Sequence, residues 1–144
     1  MPAAKQARKP SRATKTVSKP DFAAVFAALR KILDPFRDEL AVQTDKPGNY
    51  HIEIPFILHR KKPLYFAGIR TGKNYVSYYL MSAYYCPELL EDMSPALKKR
   101  KQGKACFNFT TVDHDCFAEL GRLTTTGLKK IKSEEFRQSI QRMQ

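Results

Sequence analysis

The sequence predicts an α+β fold, a two-layer sandwich in which an antiparallel sheet is packed by N- and C-terminal helices. Three observations carry this. Apolar residues recur at helical spacing from Phe22 to Leu33 and again from Cys116 to Leu123. Between them lie segments with a period of two, and the short turns joining them imply antiparallel neighbours. A chain of 144 residues supports one core, so both patterns belong to one domain.

Asp21, after Pro20, is placed to cap the first helix. Phe22, Val25, Phe26, Leu29, Ile32 and Leu33 form its buried stripe, with Arg30 and Lys31 turned outward. Asp34-Pro35 breaks or kinks it, and Phe36, Leu40 and Val42 are expected to add another turn or two. Lys46-Pro47-Gly48-Asn49 is a turn. Tyr50, Ile52 and Ile54 then alternate with His51 and Glu53 as a strand, where Pro55 marks an edge or a bulge. Arg60-Lys61-Lys62-Pro63 connects to a second strand over 64–70. Thr71-Gly72-Lys73-Asn74 is a hairpin turn leading to a third strand over 75–81. Alternation puts Tyr75 and Tyr79 on one sheet face and Tyr78 on the other.

Two short helices are expected next, over 88–93 behind Pro87 and over 96–101 behind Ser94-Pro95, the second ended by Gly103. A strand over 105–110 sets Cys106, Asn108 and Thr110 opposite Phe107 and Phe109. Asp113 caps the last strong helix, whose stripe is Cys116, Phe117, Leu120 and Leu123. Gly127 marks a place where that helix could break, with Leu128 and Ile131 in any continuation. The expected organisation is a disordered basic tail over 1–20, the α+β domain over 21–132, and a polar, helix-prone, fraying extension over 133–144.

The chain holds 26 Lys and Arg against 14 acids, a formal net charge of +12. Lys5, Arg8, Lys9, Arg12, Lys15 and Lys19, with no acid among residues 1–20, supply half of that excess. Such a balance attracts nucleic acid and other anions. No run approaches the roughly 20 apolar residues that span a bilayer, so no membrane partner is expected. Cys86, Cys106 and Cys116 are an odd number behind an N-terminus without an apolar secretory segment, which points to reduced thiols and a cytoplasmic location. The tail has transit-peptide composition, but Pro2, Pro10 and Pro20 interrupt any amphipathic helix.

No motif carries chemistry by itself. His51, His59, His114 and the three Cys are the soft or borderline metal ligands, and no pair has CxxC or HxxxH spacing, so no metal site and no cofactor are assigned. His114-Asp115-Cys116 reads as a capping turn with a buried thiol. Cys86 precedes Pro87 at an expected helix N-terminus, a setting that lowers a thiol pKa. Arg70-Thr71-Gly72-Lys73-Asn74 lacks the phosphate-loop pattern and leads into a strand. What stands out is a basic and aromatic set: Tyr75, Tyr78, Tyr79, Tyr84 and Tyr85 among Arg60, Lys61, Lys62, Arg70 and Lys73, followed by Lys98, Lys99, Arg100, Lys101 and Lys104. From it Arg70, Lys73, Tyr75, Lys98, Lys99, Arg100 and Lys104 are selected as ligand-binding residues, with no catalytic residue.

Tyr65-Phe66-Ala67-Gly68-Ile69 and Lys73-Asn74-Tyr75-Val76-Ser77, then Gly103-Lys104-Ala105-Cys106-Phe107-Asn108-Phe109 and a helix containing Phe117-Ala118-Glu119-Leu120, resemble the YdhG-like family, domain of unknown function 1801, over residues 22–131. The resemblance implies a small bacterial cytosolic protein with a helix–sheet–helix sandwich, and for some members a frataxin-like iron-chaperone role. That role uses an acidic helical face, because hard cations prefer carboxylate oxygens. Here the first helix has only Asp21, then Asp34, Asp38 and Glu39 near its end, and no iron ligand is carried over.

The expectation is therefore a non-enzymatic cytoplasmic domain whose basic surface prefers an anionic ligand or nucleic acid. The alternatives are a frataxin-like metal- or iron-handling protein, tested by iron titration, and a Cys-dependent enzyme, tested by thiol alkylation at neutral pH.

Overall fold

The computed structural model describes residues 21–59 and 61–142. The basic tail expected over 1–20 and Arg60 of the second connection lie outside them. The first helix, α1, runs Phe22–Leu33, and the Asp21 carboxylate accepts from the Ala24 amide at 3.0 Å. It buries Val25, Leu29 and Leu33. A single 3-10 turn, Asp34–Phe36, follows with Pro35 in its first residues, where a missing N–H costs nothing.

The extra helical turns expected here are absent. Leu40 closes back onto Phe36, and the chain becomes strand β1, Ala41–Lys46. Val42 pairs with Ile52, so a partner distant in sequence decides its conformation. Strands β2, Asn49–His59, β3, Lys62–Thr71, and β4, Val76–Leu80, form the expected antiparallel meander. The β2–β3 register shifts between Ile54 and Leu58, a bulge that takes in Pro55.

Helix α2, Met81–Tyr85, and a 3-10 turn, Pro87–Leu90, replace the expected helix over 88–93. Helix α3, Pro95–Lys98, begins where Ser94 and Pro95 predict, with the Ser94 hydroxyl accepting from the Leu97 amide at 3.2 Å. It stops a turn early, because Lys101 and Gln102 form strand β5, Lys101–Gln102, beside β6, Cys106–Phe109. Gly103 is therefore a strand-to-strand turn residue, with φ of 74°, rather than a helix stop. The sheet has six strands in the order β1-β2-β3-β4-β6-β5, every pair antiparallel.

Helix α4, His114–Lys132, is capped by Asp113, which accepts from the Cys116 amide at 3.1 Å. It passes through Gly127 unbroken. A Cβ there would lie 2.2 Å from Ser82 Oγ and 2.7 Å from Ser82 Cβ, so the missing side chain is what lets α2 seat on α4. The extension expected to fray is helix α5, Glu134–Arg142. Its Phe136 is buried, with its ring 5.8 Å from that of Tyr85, so packing holds a segment that its polar composition alone would not.

The core joins one face of the sheet to the helices. Ile52, Ile54, Ala67, Ile69, Tyr78 and Phe107 meet Leu29, Leu33, Leu120 and Ile131. Tyr78 is buried there, and its hydroxyl lies 2.6 Å from Thr124 Oγ1, tying sheet to α4. Strand pairing sends the alternate set, including His51, Tyr65, Arg70, Ser77, Tyr79, Cys106 and Asn108, to the opposite face, and none of these belongs to the core cluster. The architecture is the two-layer α+β sandwich that the sequence predicts.

Candidate functional site

The second face of the sheet is built in two rows across the strands. One row runs Thr44, His51, Gly68, Tyr79, Cys106 and Gln102, each paired with the next. The adjacent row runs Asn49, Arg70, Ser77 and Asn108, and the Asn108 amide then donates to the Arg100 carbonyl at 2.9 Å. A solvent face of this kind usually carries Lys, Glu and Thr. This one carries rings, amides, hydroxyls and one central guanidinium.

Tyr65 reaches over the first row. A Cβ on Gly68 would meet the Tyr65 hydroxyl oxygen at 2.3 Å, so the phenol end occupies the space that a larger residue 68 would fill. The His51 and Tyr65 rings have centroids 4.0 Å apart. Burial pushes the Tyr65 phenol up to about 12, with Tyr79 adding to the shift and Arg70 opposing it. Burial also lowers the His51 pKa, against the pull of Glu53. His51 Nε2 is shielded from solvent and lacks a hydrogen-bond partner, with Glu53 Oε2 at 3.6 Å.

The second row is a hydrogen-bonded chain. Ser77 Oγ donates to Asn108 Oδ1 at 2.7 Å, and Asn108 Nδ2 donates to Gln102 Oε1 at 2.7 Å. Cys106 Sγ donates to the same Asn108 oxygen at 3.3 Å. The side-chain amides are thus oriented before any ligand arrives.

The selected cations divide among three hollows, with Lys73 outside all of them. Arg70 lines a concavity of about 320 Å³ with His51, Tyr65, Tyr79 and Asn49. Tyr75, Lys99 and Arg100 line a second, of about 360 Å³, with Gln102, Asn108 and Thr110. The two lie on the same sheet face, with Ser77 and Asn108 between Arg70 and Arg100. Lys73 sits in the β3–β4 turn, two residues before Tyr75, and lines neither. Lys98 and Lys104 are elsewhere, around a third hollow among the short helices. Tyr75 and Tyr84 are exposed, as stacking requires, whereas Tyr78 is core.

Among the described residues the ion pairs are Arg30 with Asp45 and Lys132 with Glu39, and His51 joins Glu53 as a third only when protonated. None of Arg70, Lys73, Lys98, Lys99, Arg100 or Lys104 has a carboxylate within 4.0 Å there. Arg100 still feels the Asp113 carboxylate, whose pKa it helps the Cys116 amide to lower, and Lys104 lies over the Tyr84 ring.

Cys86 is not the lowered thiol that a helix N-terminus would make. It follows the last turn of α2 instead of opening a full helix, and burial raises its thiol pKa, with Glu88 adding. Burial likewise raises Cys106, and it pushes Cys116 up to about 11 with Asp113 contributing. None of the three is an activated thiolate. Among the described residues no three His, Cys, Asp or Glu side chains gather as a metal site, and no helix is long and apolar enough to cross a membrane. No family model, no curated protein and no solved structure matches the chain.

Reading the sequence missed Tyr65 and undervalued His51 and Asn108. Simple alternation groups Tyr65 with Ala67 and Ile69, which are core. The register shift beside Phe66, where Ile52 pairs with Ala67 but Glu53 with Tyr65, turns Tyr65 to the other face. Nothing local in residues 64–67 announces that extra residue.

Proposed function

We propose that this protein is a non-enzymatic, cytoplasmic binding domain of YdhG-like type that takes single-stranded nucleic acid across the second face of its sheet. The observation that carries the reading is one sheet face on which Arg70 and Arg100, neither held in an ion pair among the described residues, flank oriented amides and tyrosines. Cations attract a phosphate backbone without regard to sequence, and rings beside them accept stacked bases. Three strand spacings separate the positions of Arg70 and Arg100, about 14 Å, so one extended strand reaches both. Lys73, Tyr75 and Lys99 continue the track at the sheet end, and the six cations of residues 1–20 add nonspecific attraction.

The test is fluorescence anisotropy with a labelled single-stranded oligonucleotide at two salt concentrations. Affinity is expected to fall steeply with salt, and Arg70→Ala or Arg100→Ala to reduce the log–log slope by about 0.7 each. Tyr79→Leu is expected to weaken binding by about 1–3 kcal/mol with the slope unchanged. Removing residues 1–20 weakens binding and flattens its salt dependence. Absence of binding at low salt removes the proposal.

A further inference from the structure

The hollow that holds Lys98 and Lys104 differs from the sheet face in chemistry. Its volume is about 470 Å³, within the range of small-molecule pockets. Ala83 and Tyr84 of α2, Pro87 and Leu90 of the 3-10 turn, and Met93 beyond it make an apolar floor. Tyr84 leaves half its surface to solvent, at 50%, and Leu90 and Met93 are only half-buried. Unspent apolar surface inside a concavity is the usual mark of a ligand site rather than of a solvated face.

Three ammonium groups stand around this floor. Lys98 comes from the end of α3, Lys101 from β5, and Lys104 from the β5–β6 turn. Lys104 Nζ sits 5.6 Å from the Tyr84 ring centre, and Lys101 Nζ donates to the Gly103 carbonyl at 2.6 Å. Among the described residues no carboxylate lies within 4.0 Å of any of the three. Glu91 is the one acid in the lining, against three cations.

We propose that this hollow binds a small soluble amphiphilic anion, with an apolar body against Tyr84, Leu90 and Met93 and a carboxylate or phosphate head between Lys98 and Lys104. Apolar burial supplies affinity, and the ammonium pair fixes which end faces out. An uncharged apolar ligand leaves the lysines uncompensated, and a headgroup without a tail leaves the floor wet. Lys101 borders both this hollow and the neighbouring sheet-face concavity, but the head is placed between Lys98 and Lys104, which line only the hollow, so this site and the nucleic-acid reading are tested separately.

The probe is octanoate, titrated into the full chain by calorimetry, with acetate as head alone and octan-1-ol as tail alone. Octanoate is expected to bind saturably at one site, and each control at least tenfold more weakly. The double variant Lys98→Gln/Lys104→Gln, whose positions are exposed, is expected to weaken octanoate at least tenfold with its circular dichroism unchanged. Arg70→Ala is expected to leave octanoate binding as it is. The proposal is overturned by octanoate binding no tighter than its controls, by indifference to the lysine variant, or by binding only to anionic vesicles.

Discussion

Ser82 and Gly127 share space that holds one side chain. Helix propensity alone says Gly127→Ala stabilises α4 by about 1 kcal/mol. The added Cβ would come 2.2 Å from Ser82 Oγ and 3.2 Å from Leu89 Cδ2. Overpacking of this kind costs about 1–3 kcal/mol, so the packing term wins. Gly127→Ala is expected to lower the urea midpoint, and Ser82→Gly in the same chain to restore most of the loss. A midpoint raised by Gly127→Ala alone contradicts this. A second effect at single residues concerns protons. The native protein holds the Cys116 thiol and the Tyr65 phenol up at about 11 and about 12, from ordinary values of 9.0 and 10.0. Groups raised in this way favour the folded state fully below their unfolded pKa, and that contribution disappears as pH rises through the folded one. Stability is therefore expected to fall from about pH 9 toward pH 12. Urea midpoints at either end of that window measure the fall, and Tyr65→Phe is expected to make it smaller.

At the scale of elements, α5 separates composition from packing. Residues 133–144 are polar and carry one large aromatic, Phe136, which alone would not hold a helix in water. In the fold that ring is buried beside Tyr85, and Arg137 lies over the Phe56 ring. Phe136→Ala is expected to cost about 2–4 kcal/mol, measured by chemical denaturation. A cost within about 0.5 kcal/mol is what a frayed segment gives. Strands β1 and β5 teach the same lesson. Ala41-Val42-Gln43-Thr44 has no marked preference in isolation, and Lys101-Gln102 is too short to show a period. Each becomes strand because an unpaired edge, of β2 or β6, lies alongside.

For the whole molecule, the net charge of +12 acts in two opposite directions. Self-repulsion loosens the fold, while the same field attracts a polyanion. Raising salt from about 20 to about 200 mM screens both. Thermal stability is expected to rise over that range while oligonucleotide affinity falls. A melting temperature that drops together with affinity would falsify the charge-driven account of binding. The placement of charge matters as well as its sum. Lys98 and Lys99 are neighbours in the chain, yet they line separate hollows, one among the short helices and the other on the sheet.

Local pattern determined α1, the starts of α3 and α4, and their caps. The stripes from Phe22 and from Cys116, with Asp21, Ser94 and Asp113 accepting from the amides they precede, follow from side-chain periodicity and capping chemistry within a few residues. The meander β2–β4 and the placing of Tyr78 opposite Tyr79 follow from a period of two. Only the tertiary structure decided the edge strands, the turning of Tyr65, the docking of Phe136 and the division of the lysines. Each of these depends on a contact between residues far apart in the chain, whose loop-closure cost and packing gain are invisible to any short window of sequence.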